Sequence, residues 1–133
     1  MDGQERSNIL EKALEKIQSS LPQLVGVYLF GSFGTEYQSV ESDLDLAILS
    51  KEKLDDLLLW DLAQQTAVMI QRDVEIVDLA KASTVFRFQV FMEGERIACQ
   101  DHLYCDHFEN ASLSMYLWLN EERKGIIEDR MHG

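Results

Sequence analysis

Cationic side chains are scarce in this sequence: 12 lysines and arginines stand against 24 aspartates and glutamates, for a net charge of −12. Without a basic stripe to neutralise phosphates, a nucleic-acid backbone is excluded as the main partner, and a basic protein surface fits better. The sequence also lacks any run of eighteen apolar residues, so no membrane-spanning helix is expected. Its first residues, Met1-Asp2-Gly3-Gln4-Glu5-Arg6, have neither the basic start nor the apolar core of a signal peptide, and the expected location is the cytoplasm. Only two cysteines are present, Cys99 and Cys105, and they lie among His102 and His107. Zinc sites bring two close ligand pairs together from separate turns, whereas these four residues crowd into one short stretch, so free thiols in a reducing compartment are expected. No internal repeat or low-complexity tract is visible. A chain of 133 residues that is 46% hydrophobic is expected to fold as a single domain, residues 1–133, around one compact core.

What the sequence does have is one dense stretch. Leu24-Val25-Gly26-Val27-Tyr28-Leu29-Phe30 is an apolar run of strand length, rich in β-branched and aromatic side chains, and it stops at a small-residue turn, Gly31-Ser32-Phe33-Gly34. After a short spacer, Ser42-Asp43-Leu44-Asp45-Leu46 opens a second such run that continues to Leu49. The period of two along a strand turns Asp43 and Asp45 to one face and Leu44 and Leu46 to the other. Two carboxylates side by side on a rigid strand repel each other, and a divalent cation between them is the usual reason to keep them. Magnesium suits them, because it takes one or two carboxylates and completes its shell with substrate phosphates. A Gly-Ser turn offers those phosphates backbone N–H groups and a hydroxyl, and glycine lets them approach the backbone closely. Alone, Asp-x-Asp reads as solvated strand-edge acids and Gly-Ser as an ordinary turn. Joined at this spacing between two strands, they point to a nucleoside triphosphate and metal site with Gly31 and Ser32 on the phosphates and Asp43 and Asp45 on the metal.

The segment from Gly31 to Leu46, Gly-Ser-Phe-Gly-Thr-Glu-Tyr-Gln-Ser-Val-Glu-Ser-Asp-Leu-Asp-Leu, resembles the signature of the DNA polymerase β-like nucleotidyltransferase superfamily, which is Gly-Ser, a spacer of about ten residues, then Asp-x-Asp. In so short a chain, the resemblance is to the minimal nucleotidyltransferases (MNT) that act as antitoxins beside HEPN-domain ribonuclease toxins. The family usually continues Gly-Ser-x-Ala-Arg-Gly, and this chain has Gly34, Thr35 and Glu36 in those places. The resemblance implies an α+β fold, a mixed β-sheet with flanking helices. It also implies ATP as substrate, two Mg²⁺ ions as cofactors and a cognate HEPN toxin as partner. The implied reaction moves AMP from ATP to a tyrosine hydroxyl of the toxin and so blocks the toxin's RNA site. Two alternatives stay open. One is a non-catalytic antitoxin that neutralises by covering its partner, toward which the Thr35-Glu36 departure points. The other is a small-molecule nucleotidyltransferase of the aminoglycoside-modifying kind, which normally needs an extra domain for which this chain has no room.

The resemblance further implies a third carboxylate on a later strand. Val74-Glu75-Ile76-Val77-Asp78-Leu79 alternates as a strand, with Glu75 on one face and Val74 and Ile76 on the other. Glu75 holds the matching position, a glutamate where the family usually has aspartate, and so completes the set Asp43, Asp45 and Glu75. Asp73 shares its face and Asp78 closes the strand, so each stays open as the third ligand, as does a plain solvent-facing role for Glu75.

The remaining pattern is helical. Ile9, Leu10, Ala13, Leu14 and Ile17 recur at helical spacing in a first helix that Pro22 ends. Leu54, Leu57, Leu58, Leu62 and Met69 mark a second, from about Lys53 to Gln71, with Trp60 read as core. A third spans Ser83 to Glu93, with Ser83 as N-cap, Gly94 as C′ stop and Val85, Phe88 and Met92 on its buried side. Arg87 on this helix is either a triphosphate ligand or an ordinary surface residue. Arg96-Ile97-Ala98-Cys99 is expected as an edge strand. A last helix, about 108–129, starts between Tyr104 and Ser112 and is apolar nearly all the way round from Leu113 to Leu119. It either packs one face on the core and offers the other to a partner, or is wholly sunk between other elements.

Overall fold

The computed structural model describes residues 3–31 and 43–132, with side chains of the last helix as far as Gly125. The elements run α1 (Gly3–Ser20), β1 (Leu24–Phe30), β2 (Leu44–Ser50), α2 (Asp56–Ile70), β3 (Val74–Asp78), α3 (Thr84–Glu93), β4 (Glu95–Cys99) and α4 (His102–His132). The strands form one mixed sheet in the order β3-β2-β1-β4. β1 pairs antiparallel with β2 and with β4, while β2 and β3 are parallel and joined by the crossover helix α2. This is the expected α+β architecture.

Both faces of the sheet are covered, which is why the two central strands read as continuous apolar runs. On one face Leu44, Leu46 and Ile48 of β2 and Val27 and Leu29 of β1 pack with Leu10, Ala13 and Ile17 of α1 and Leu59, Leu62 and Ala63 of α2. On the other, Val25 and Tyr28 of β1 and Ala47 and Leu49 of β2 meet Val90 of α3 and Cys105 of α4. Burying a side chain the size of Leu46 or Ile48 contributes roughly 1.5–3 kcal/mol, so β2 is firmly fixed, and with it the acids at its start.

The helix boundaries and faces depart from the sequence pattern in four places. α2 is shorter than 53–71 because Asp55 caps it, accepting from Leu57 N, and Gln71 closes it in the left-handed conformation. Its buried side is Leu59, Leu62, Ala63 and Thr66; Leu57, Leu58 and Met69 are exposed, and Trp60 is 60% exposed instead of core. α3 buries Val90 and sets Phe86 and Phe91 against the core, leaving Val85 and Met92 outside, while Phe88 stacks on Tyr116 of α4 with centroids 3.7 Å apart. Ser83 is its N-cap, accepting from Phe86 N, but Gly94 is extended (φ −88°, ψ −175°) and not left-handed. Glycine is required there for room, since a Cβ would lie 2.6 Å from the Val90 carbonyl oxygen and 2.7 Å from that of Leu29. Finally, α4 begins at His102, where the Asp101 carboxylate accepts from Tyr104 N at 3.1 Å. It is not wholly sunk: Ser112 is buried and Tyr116 faces α3, but Leu117 and Trp118 are exposed.

Cys99 and Cys105 are free thiols brought to 3.1 Å. Burial leads the causes that push the Cys105 thiol up to about 12. His102 and His107 are both exposed.

Candidate active site

Three strands place the site. Phe30 at the end of β1 is the register partner of Asp45 on β2, and Asp45 is the register partner of Glu75 on β3. The strand alternation that buries Leu44 and Leu46 under α1 and α2 turns Asp45 to the opposite, α3/α4 side. Gly31, next after Phe30, has φ +81°, a conformation that costs other L-residues about 1–2 kcal/mol. A Cβ at Gly31 would also collide with the Asp45 carboxylate. Glycine here therefore serves both the turn and the close approach of backbone to acid.

The Asp45 carboxyl is held above its ordinary range, first by burial, then by the charges of Glu75 and Asp43, and also by a hydrogen bond with Glu75. Asp43, just ahead of β2, is exposed and near enough to act on Asp45. Of the alternative third acids, Asp78 lies on the opposite strand parity, is buried, and accepts from Ala80 N at 3.0 Å within a turn. Asp73 contributes its carbonyl to Leu44 N at 2.8 Å, and its side chain is exposed. Glu75 is the one whose carboxyl meets Asp45.

Arg87 is engaged with backbone carbonyls and an aromatic ring. Its Nε donates to the Leu79 carbonyl and its Nη2 to the Ala80 carbonyl, both at 2.7 Å, and its guanidinium carbon lies 4.9 Å from the centroid of Phe108. It ties the turn after β3 to α3 and α4. Ser32 lies outside the described residues.

Do these groups suit magnesium? The donors are hard carboxylate oxygens, and the carboxylate repulsion that adds to burial in raising Asp45 is what a divalent cation relieves. Among the described residues no three His, Cys, Asp or Glu side chains stand close enough together to form a finished metal cluster. Asp45 meets Glu75, the charge of Asp43 also acts on Asp45, and the chemistry of these donors fits the ion.

Two features were missed in the sequence. A cavity of about 180 Å³ beside Gly31 is lined by Phe30, Phe86 and Gln89, with the two rings edge to face at 5.2 Å. A larger groove of about 470 Å³ runs between α2 and β3 and includes Trp60 and Glu75. The first depends on how α3 docks, which no local pattern reveals. For the second, a hint existed in Trp60 sitting between Leu59 and Asp61 on a helix with too many apolar positions for one face.

A mixed sheet that sets a glycine turn on one strand against a carboxylate on the next, and that carboxylate against an acid on a third, defines a nucleotidyltransferase of the polymerase β type. Residues 12–103 match the family model described as "Polymerase beta, Nucleotidyltransferase", and the chain belongs to that family. Within it, the chain is 38% identical over 122 residues to the protein adenylyltransferase MntA of Shewanella oneidensis, covering 90% of this chain and 86% of that relative. Among solved structures it is similar to one from a tri-AMPylated Shewanella oneidensis HEPN toxin in complex with MNT antitoxin, with TM-score 0.78, 34% identity and coverage of 95% of this chain and 98% of that one. A toxin–antitoxin structure with AMP-PNP gives TM-score 0.79 and 36% identity, covering 91% and 97%. A spectinomycin adenyltransferase from Enterococcus faecialis shares the fold at TM-score 0.51 and 18% identity, covering 75% of this chain and 57% of that one.

Proposed function

We propose that this chain is a magnesium-dependent protein adenylyltransferase antitoxin that transfers AMP from ATP to a tyrosine hydroxyl of a cognate HEPN toxin. The observation that carries this reading is the contact of the Gly31 turn with Asp45 and of Asp45 with Glu75 across three paired strands. It is supported by the likeness to MntA and to the AMPylated toxin complex.

Asp43, Asp45 and Glu75 would hold two Mg²⁺ ions, which when bound lower the pKa of the acceptor hydroxyl and neutralise charge on the leaving pyrophosphate. Gly31 and Ser32 position the β- and γ-phosphates through backbone N–H groups and the Ser32 hydroxyl. Glu75 orients the acceptor hydroxyl and takes its proton. The hydroxyl oxygen forms a bond to the α-phosphorus as the bond to the bridging oxygen breaks, and pyrophosphate leaves with that electron pair. Arg87, in the placement described, braces the turn behind Glu75. The exposed side of α4, with Leu117 62% and Trp118 57% exposed, supplies part of the toxin interface.

Incubating the HEPN partner with ATP, Mg²⁺ and this protein should raise the partner's intact mass by whole AMP increments. Unmodified partner that is nonetheless neutralised by an Asp43→Asn/Asp45→Asn variant would instead establish an antitoxin acting by binding alone.

A further inference from the structure

β3 is an edge strand, paired with β2 on one side only. The Asp73 carbonyl accepts from Leu44 N, and Leu79 N donates to the Ile48 carbonyl, so the odd-numbered residues of this segment bond toward β2. By strand alternation, the backbone groups of Val74 and Ile76 and the N–H of Asp78 point to the open edge, while the Asp78 carbonyl accepts from Lys81 N at 3.1 Å. The 470 Å³ groove follows that edge, walled on one side by Leu59, Trp60 and Gln64 of α2 and on the other by Lys81 and Ala82. Glu75 belongs both to this groove and to the carboxylate pair.

The register of the sheet gives the groove a direction. Phe30, Asp45 and Glu75 lie in one row across β1, β2 and β3. The Gly31 turn therefore stands on one side of Asp45 and the groove on the other. In-line phosphoryl transfer places the entering and leaving oxygens on opposite sides of the α-phosphorus. With pyrophosphate held toward Gly31, the acceptor oxygen arrives from the Glu75 side. Charge agrees with this assignment. Asp56, Glu75 and Asp78 line the groove against one cation, Lys81, whose ammonium is already 3.0 Å from Asp56. Such a lining repels a triphosphate and favours a neutral or basic segment.

We propose that the groove between α2 and the open edge of β3 is the acceptor site. It receives an extended, neutral-to-basic segment of the acceptor protein as an added strand on β3, with an apolar side chain against Trp60 and the tyrosine hydroxyl delivered to Glu75. Main-chain hydrogen bonds to the open edge give such a segment its register, and the groove walls select its side chains. This inference rests on the adenylyl-transfer reading and adds to it where the acceptor enters.

Trp60→Ala and Gln64→Arg test it, since both side chains are exposed and neither change disturbs the core. With the purified HEPN partner as acceptor and α-labelled ATP, each variant should raise the acceptor KM roughly tenfold or more while the KM for ATP stays unchanged. A second measurement needs no turnover. A benzoylphenylalanine photo-crosslinker at position 64, in an Asp45→Asn background, should attach to the tyrosine-bearing segment of the partner. Unchanged acceptor KM in both variants, or a cross-link only to a second copy of this chain or to another part of the partner, overturns the groove assignment while transfer itself stands. If wild type transfers no label, the transfer reading has failed, and the cross-link alone decides whether the groove holds that segment.

Discussion

Asp45 carries the tension of the site. Its folded pKa lies above the ordinary value of 3.8, through burial and then the charges of Glu75 and Asp43, so the folded chain holds the proton more tightly than the unfolded one. Its contribution to stability is therefore best below that ordinary value. It declines as pH rises through the raised folded pKa and stays at its least favourable above it. Asp45→Asn should accordingly raise the melting temperature at neutral pH without metal, and the gap from wild type should close in acid. Adding Mg²⁺ should narrow the gap at neutral pH by stabilising wild type. The same variant should lower adenylyl transfer by about a hundredfold or more. Gly31→Ala tests the neighbouring contact. A positive φ together with a Cβ driven into the Asp45 carboxylate should destabilise the protein by about 1–3 kcal/mol in urea titration and abolish transfer even where the protein remains folded.

Among the elements, α3 buries only Val90 fully, with Phe86 and Phe91 partly buried against the core, and Arg87 adds a polar tie. The two backbone bonds from Arg87 and its stacking on Phe108 fix the turn that follows β3. Arg87→Ala should cost about 2 kcal/mol in chemical denaturation, with the loss restored little by lysine, which lacks the planar fork. The elements also differ in how well the sequence disclosed them. β1, β2 and β3 were legible because Leu24–Phe30, Leu44–Leu49 and Val74–Asp78 carry their own pattern, and Asp45 and Glu75 came with it through strand parity. Helix faces were less legible. Leu57, Leu58 and Met69 look as apolar as Leu59 and Leu62, and which set turns inward depends on where α1 and β3 lie. Phe88 and Phe91 likewise exchange core and α4 contact according to the docking of α4, whose first turn at His102 has a polar cap but no apolar period to announce it.

At the scale of the whole molecule, acidity and unpartnered apolar surface act together. With a net charge of −12, association with a basic partner should slow as salt rises, since exposed charges are screened beyond about 8 Å at physiological ionic strength. Trp118→Ala, on the exposed side of α4, should weaken the complex by about 2 kcal/mol through faster dissociation, with the salt dependence of the on-rate unchanged, as read by stopped-flow and surface binding. Among the described residues no helix is long and apolar enough to cross a membrane. What the carboxylate row does with ATP is read by following label from α-labelled ATP, with Mg²⁺, onto the HEPN partner for wild type and for Asp43→Asn/Asp45→Asn. Label should appear on a partner tyrosine with wild type and not with the variant. Equal complex formation by both proteins with no label from either would contradict adenylyl transfer.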